Sequence, residues 1–112
     1  MRKIILLLAI AIFASATTIT VQLDRTKPNG LNWDGPGAGG PDIYIKVNGI
    51  SYREDRCQDS YTCTFKIDTV NNQPLSIEVW DADFMDDDYA GSTICSIGQI
   101  CTFDGGKLIV SP

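Results

Sequence analysis

Apolar residues recur at every second position through most of this chain. In "TITVQLD" they are Ile19, Val21 and Leu23; in "IYIKV", Ile43, Ile45 and Val47; in "LSIEVW", Leu75, Ile77 and Val79. "TCTFKID" repeats the pattern with Cys63, Phe65 and Ile67, and "GKLIVS" with Leu108 and Val110. A period of two puts one face of a strand toward a core and the other toward water, whereas a helix needs a period near 3.6, which no stretch shows. Asn48-Gly49 in "VNGIS" predicts a tight hairpin with a strand on each side, because both residues tolerate the positive φ such turns require. "DTVNNQP" and "DGGK" predict two further turns. Short alternating strands punctuated by Gly, Pro, Asn and Asp predict an all-β sandwich. No internal repeat, low-complexity tail or linker interrupts the pattern.

The first sixteen residues follow a different rule. Met1-Arg2-Lys3 is basic, Ile4 to Phe13 is apolar, and Ala14-Ser15-Ala16 is a small-x-small site, the three parts of a secretory signal peptide. A membrane span needs about 20 apolar residues, so this run is too short to be an anchor. The expected division is a signal peptide at 1–16 and one domain at 17–112, in a secreted protein. The alternative is an uncleaved amphipathic or buried segment. Cleavage would remove Arg2 and Lys3, two of nine basic residues set against fourteen acidic ones, and take the net charge from −5 to −7. So acidic a chain argues against nucleic acid, which rewards basic patches. There is no histidine, hence no residue of the type most used as general base or metal ligand. No Ser-x-x-Lys or Gly-x-Ser-x-Gly motif is present; only paired carboxylates leave room for glycoside chemistry. The expectation is a binding module, not an enzyme.

Cys57, Cys63, Cys95 and Cys101 form an even set in a chain expected to be exported, which reads as two disulfides. Four cysteines allow three pairings, and the two C-x5-C spacings make Cys57–Cys63 and Cys95–Cys101 the simplest. A zinc site built from all four is the alternative, although such sites favour tighter spacings.

Two segments stand out from the strands. "VWDADFMDDDYAG" carries Asp81, Asp83, Asp86, Asp87 and Asp88, and packed like charges repel. "KPNGLNWDGPGAGGPD", residues 27–42, is a long Gly/Pro-rich loop with Asp34 inside it and Asp42 at its end. Loops of this length are usually functional or disordered. Calcium takes six to eight oxygen ligands at about 2.3–2.6 Å, many from carboxylates. If the two loops lie side by side, Asp34, Asp42, Asp81, Asp83 and Asp88 can converge on such an ion. The spacing is not that of a helix–loop–helix calcium site, which ends in glutamate. The alternative is a solvated acidic loop.

"PDIYIKV" followed by "LSIEVWDADFMDDDYAG" resembles the C2 domain, a calcium- and phospholipid-binding module. Asp42, Tyr44, Lys46 and Val47 match the end of its first calcium loop and the strand after it; Asp81, Asp83, Asp88, Tyr89 and Gly91 match its third loop. The C-terminal part is most similar to the perforin C2 domain, in which a cysteine after the third loop pairs with one before the last strands, as Cys95 and Cys101 would. The resemblance implies an antiparallel eight-stranded Greek-key sandwich, calcium at Asp34, Asp42, Asp81, Asp83 and Asp88, and calcium-dependent contact with a phospholipid membrane. The third loop is one residue tighter than the commonest form, which leaves Asp87 or Asp86 as replacements for Asp88. Trp33, Phe84 and Met85 flank these aspartates; they either pack the loops or form an apolar tip that enters a bilayer interface. Trp80 is expected to pack on the sheet surface, and Lys46 with Arg53 offers either a solvated strand face or a phosphoinositide-binding one. The competing functional reading is a structural or adhesive extracellular protein, with a protein partner or self-association, in which calcium only stiffens the loops.

Overall fold

The alternating segments become strands, and their apolar faces meet in one core. The structure is a computed structural model and describes residues 16–33, 40–68, 74–83 and 86–112. Residues 1–15 of the expected signal peptide, most of the "DTVNNQP" turn, Asp34, Phe84 and Met85 lie outside the described residues. Eight antiparallel strands follow one another: β1 Ala16–Leu23, β2 Ile43–Val47, β3 Ile50–Arg53, β4 Thr62–Asp68, β5 Leu75–Asp81, β6 Asp88–Cys95, β7 Ile100–Phe103 and β8 Gly106–Ser111. They form two four-stranded sheets, β4-β1-β8-β7 and β3-β2-β5-β6, as an all-β sandwich. The chain switches sheet after β1, β3, β4 and β6, whereas β2–β3, β5–β6 and β7–β8 are neighbours within a sheet.

The inward rows are those the alternation selects. Ile19 and Val21 of β1, Ile45 of β2, Phe65 of β4, Ile77 and Val79 of β5 and Val110 of β8 are all fully or almost fully buried. Burying such a side chain contributes about 1.5–3 kcal/mol. Asn48 and Gly49 have φ of 50° and 86°, as the β2–β3 hairpin requires. Asn48 also fastens that hairpin to β5, its Oδ1 accepting from Ser76 N–H at 3.0 Å.

The sandwich has two open sides, where an edge strand of one sheet passes to an edge strand of the other. Each carries a disulfide. Cys57, in a short 3-10 turn at Asp55–Cys57 after β3, is bonded to Cys63 of β4; Cys95 of β6 is bonded to Cys101 of β7. Both expected pairings are therefore present, and each staples one crossover between the sheets. In the chain-entropy model such short loops contribute about 2 kcal/mol each.

Candidate metal centre

The inward row of β5 ends in a charge. Leu75, Ile77, Val79 and Asp81 occupy successive inward positions, so the alternation that builds the core also carries the Asp81 carboxylate to the sandwich rim, where it is 0% exposed. Asp88, the first residue of β6, is the cross-strand partner of Asp81. Like charges opposite each other in an antiparallel pair are destabilising. Asp83, two residues past Asp81, completes a group of three: one oxygen from each of Asp81, Asp83 and Asp88 lies within 4.8 Å of the others.

A bulge in β6 produces this pairing. Val79 faces Gly91 while Trp80 faces Tyr89, which leaves Ala90 as the extra residue. Gly91 takes φ of 134°, a conformation open to glycine, and a Cβ there would press on Phe103 and the Asp104 backbone. The Ala90 carbonyl accepts from Gly105 N–H at 2.8 Å, which joins the bulge to the β7–β8 turn of the other sheet.

Of the other expected ligands, Asp34 lies outside the described residues, and Asp42 and Asp87 make bonds of their own. Asp42 lies next to the cluster through its backbone: its N–H donates to Asp81 Oδ1 at 2.8 Å and its carbonyl accepts from Ala82 N–H at 2.9 Å. Its carboxylate Oδ1 accepts from Asp59 N–H at 2.7 Å and so pins the loop before β4. Asp42 is not one of the three clustered carboxylates. Asp87 is a clasp. Its Oδ2 accepts from the Tyr44 hydroxyl at 2.7 Å and its Oδ1 from Asp83 N–H at 3.0 Å. Those two bonds, the tyrosine's first, hold the Asp87 carboxyl below its ordinary pKa. Tyr44 moves the opposite way, pushed up to about 12 by burial and then by its bond to Asp87. Asp86 is exposed and lies outside the cluster.

Trp33 corrects one expectation. It is 3% exposed, inside the core cluster, and not part of an apolar tip. Its indole N–H donates to the Asp24 carbonyl at 2.8 Å, and its ring reaches so close to Gly105 that a Cβ there would sit 3.0 Å from Trp33 Cη2. A large ring with its polar atom satisfied is more stable in the core than in water. The aromatic surface lies elsewhere, on the outer face of the second sheet. There Tyr44 and Trp80 stack at 6.2 Å and Trp80 meets Tyr89 at 5.0 Å, so Trp80 does pack on the sheet. Arg53 lies 3.8 Å from the Tyr44 ring centre and Lys46 lies 5.2 Å from that of Trp80.

One participant has no signal in the sequence. Lys27 Nζ pairs with Asp88 Oδ2 at 2.8 Å, and that bond, with the charges of Asp88, Asp83 and Asp81, raises the lysine pKa above its ordinary 10.5 despite partial desolvation. "RTKPNG" reads as a turn, and nothing in it indicates that its ammonium reaches carboxylates some sixty residues away.

No family model matches the chain, and neither a curated protein nor a solved structure matches it. What stands on the molecule itself is an all-β sandwich of eight strands with an acidic cluster able to hold a metal ion at one end.

Proposed function

We propose that this protein is a secreted calcium-binding module, of the kind the C2 resemblance implies, whose ion is held by Asp81, Asp83 and Asp88 and joins the acidic loops to phospholipid headgroups. One observation carries the reading: three carboxylates, one of them fully buried, within 4.8 Å of each other at one rim. The donors are all hard oxygens, the type calcium takes. The ion would supply positive charge, and its remaining positions would be open to lipid phosphate. Two disulfides fit an oxidising compartment, and the leader-like residues 1–16 fit export. Phe84 and Met85, between Asp83 and Asp86 in sequence, are the apolar residues proposed to meet the bilayer.

The structural reading has its own support. Ile94 on β6 and Ile100 on β7 are each 68% exposed, and both strands are sheet edges, where another chain can pair. Sedimentation with phosphatidylserine vesicles separates the two. Membrane binding predicts co-sedimentation at about 1 mM calcium, the upper range for extracellular sites, and release by chelator. A protein that stays in solution under both conditions yet melts higher in calcium would be the structural one.

A further inference from the structure

The carboxylate cluster already has a cation. Lys27 Nζ lies 2.8 Å from Asp88 Oδ2, and the same Asp88 carboxylate belongs to the group that lies within 4.8 Å of Asp81 and Asp83. The ammonium therefore contacts a carboxylate that the group would offer to a metal. It is also held there from the backbone. Lys27 N–H donates to the Leu31 carbonyl at 2.8 Å, Gly30 N–H donates to the Lys27 carbonyl at 2.9 Å, and Leu31 N–H donates to Asn29 Oδ1 at 3.0 Å. This closed turn is anchored upstream by Asp24, whose N–H donates to the Gly105 carbonyl and whose carbonyl accepts from Trp33.

The ion pair is not sealed. Lys27 and Asp88 keep side-chain exposures of 22% and 30%, and they share a surface hollow with Pro28, Asn29, Trp33 and Tyr89. A cation from solvent can reach Asp88, and the lysine has room to leave. A lysine suits such a role because its charge is compact and its four-carbon stem is flexible, so the ammonium can be withdrawn without moving the turn.

We propose that Lys27 is the tethered counter-ion of the Asp81–Asp83–Asp88 cluster, which it must cede when a divalent cation binds, so that this one side chain sets how tightly the site takes its ion. The inference rests on the calcium reading above and adds the residue that tunes it. Three carboxylates with the ammonium carry two negative charges; with one divalent ion in the ammonium's place they carry one. In the ion-free protein Lys27 relieves the repulsion between Asp81 and Asp88; in the loaded protein it is redundant, and its displacement weakens the apparent affinity.

Calorimetric titration with calcium chloride tests this, together with melting in chelator, on the parent and on Lys27→Met, Lys27→Gln and Lys27→Arg. The two neutral variants are expected to bind calcium at least about tenfold tighter, a modest figure for the loss of a charge beside the ion because the pair is partly exposed. Both should melt lower than the parent in chelator, and Lys27→Arg should bind no tighter than the parent. A parent that binds no calcium beside a neutral variant that does would support the proposal in its strongest form. Neutral variants whose affinity is within twofold of the parent's, or weaker, would overturn it while leaving the calcium site standing. If neither the parent nor any variant binds calcium, the metal reading itself fails and the tuning role falls with it.

Discussion

The segment from Asp24 to Asp42 and the segment from Asp81 to Asp88 both set aspartates beside aromatic or apolar residues, yet among the described residues only the second gathers carboxylates. In its described residues the first is a fastening. Trp33 enters the core, Asp24 bonds to the β7–β8 turn and to the indole, and the Asp42 carboxylate accepts from Asp59 N–H. The second begins and ends on paired strands whose last and first residues, Asp81 and Asp88, are held opposite each other. Asp87 on Tyr44 is one of its fastenings. Identical side chains differ here by what reaches them. The Asp42 and Asp87 carboxylates are tied to donors and lie outside the cluster, whereas those of Asp81, Asp83 and Asp88 converge, and like charges that close favour a cation beside them. The first loop also supplies the cation that the second lacks, Lys27.

The comparison breaks most visibly at Trp33. Trp33→Ala should destabilise the fold by about 3–5 kcal/mol, the range for deleting a large buried ring, read as a shift in the urea midpoint at unchanged slope. A change below about 1 kcal/mol, ordinary for surface positions, would return Trp33 to the exposed tip. The next effect belongs to the carboxylates. At a hundredfold excess over its Kd, calcium should stabilise the parent by about 2.7 kcal/mol. Asp81→Asn should lose most of that gain while melting no lower in chelator, since an amide oxygen still accepts from Asp42 N–H and one charge is gone. An Asp81→Asn variant with the parent's full calcium response would place the ion elsewhere.

The smallest effect sharpens the contrast by pH. Tyr44 holds its proton up to about 12 in the fold against an ordinary 10.0, so the folded protein binds more protons than the unfolded chain between those values. Its contribution to stability is complete below 10.0 and is lost as pH rises toward 12. Asp87, with its pKa lowered from 3.8, contributes with the opposite sign: fully present above 3.8 and lost as pH falls through its folded value. Tyr44→Phe should remove about 1 kcal/mol at neutral pH, the usual net value of a hydrogen bond, and flatten the alkaline limb of the stability profile measured by urea unfolding from pH 8 to 12. An alkaline limb as steep in Tyr44→Phe as in the parent would mean that another group produces it.

Where the hydrophobic phase ran unbroken, the strands were legible: β1, β2, β4, β5 and β8 all sit on segments whose alternation is plain. β6 was hidden by its bulge, because Ala90 and Gly91 are buried in succession and shift the phase of "DYAGSTIC". β7 was hidden because it is a four-residue edge strand whose Ile100 points outward. Asp81, Asp83 and Asp88 were legible as a possible ligand set; that Asp42 and Asp87 are committed to Asp59 and Tyr44 was not.

By itself, the amino-acid order determined what depends on near neighbours. Period-two alternation chose the buried faces, Asn48-Gly49 chose the hairpin, and the C-x5-C spacings fit the short loops that the disulfides close. The tertiary structure alone decided which aspartates keep their charge facing other charges, because that depends on donors contributed by distant segments: Tyr44 for Asp87, Asp59 for Asp42, Lys27 for Asp88. It also decided that Trp33 belongs to the core. A tryptophan in a Gly/Pro-rich loop has no local reason to be buried, and it finds one only where Gly105 and the Asp24 carbonyl leave room for its ring and an acceptor for its N–H.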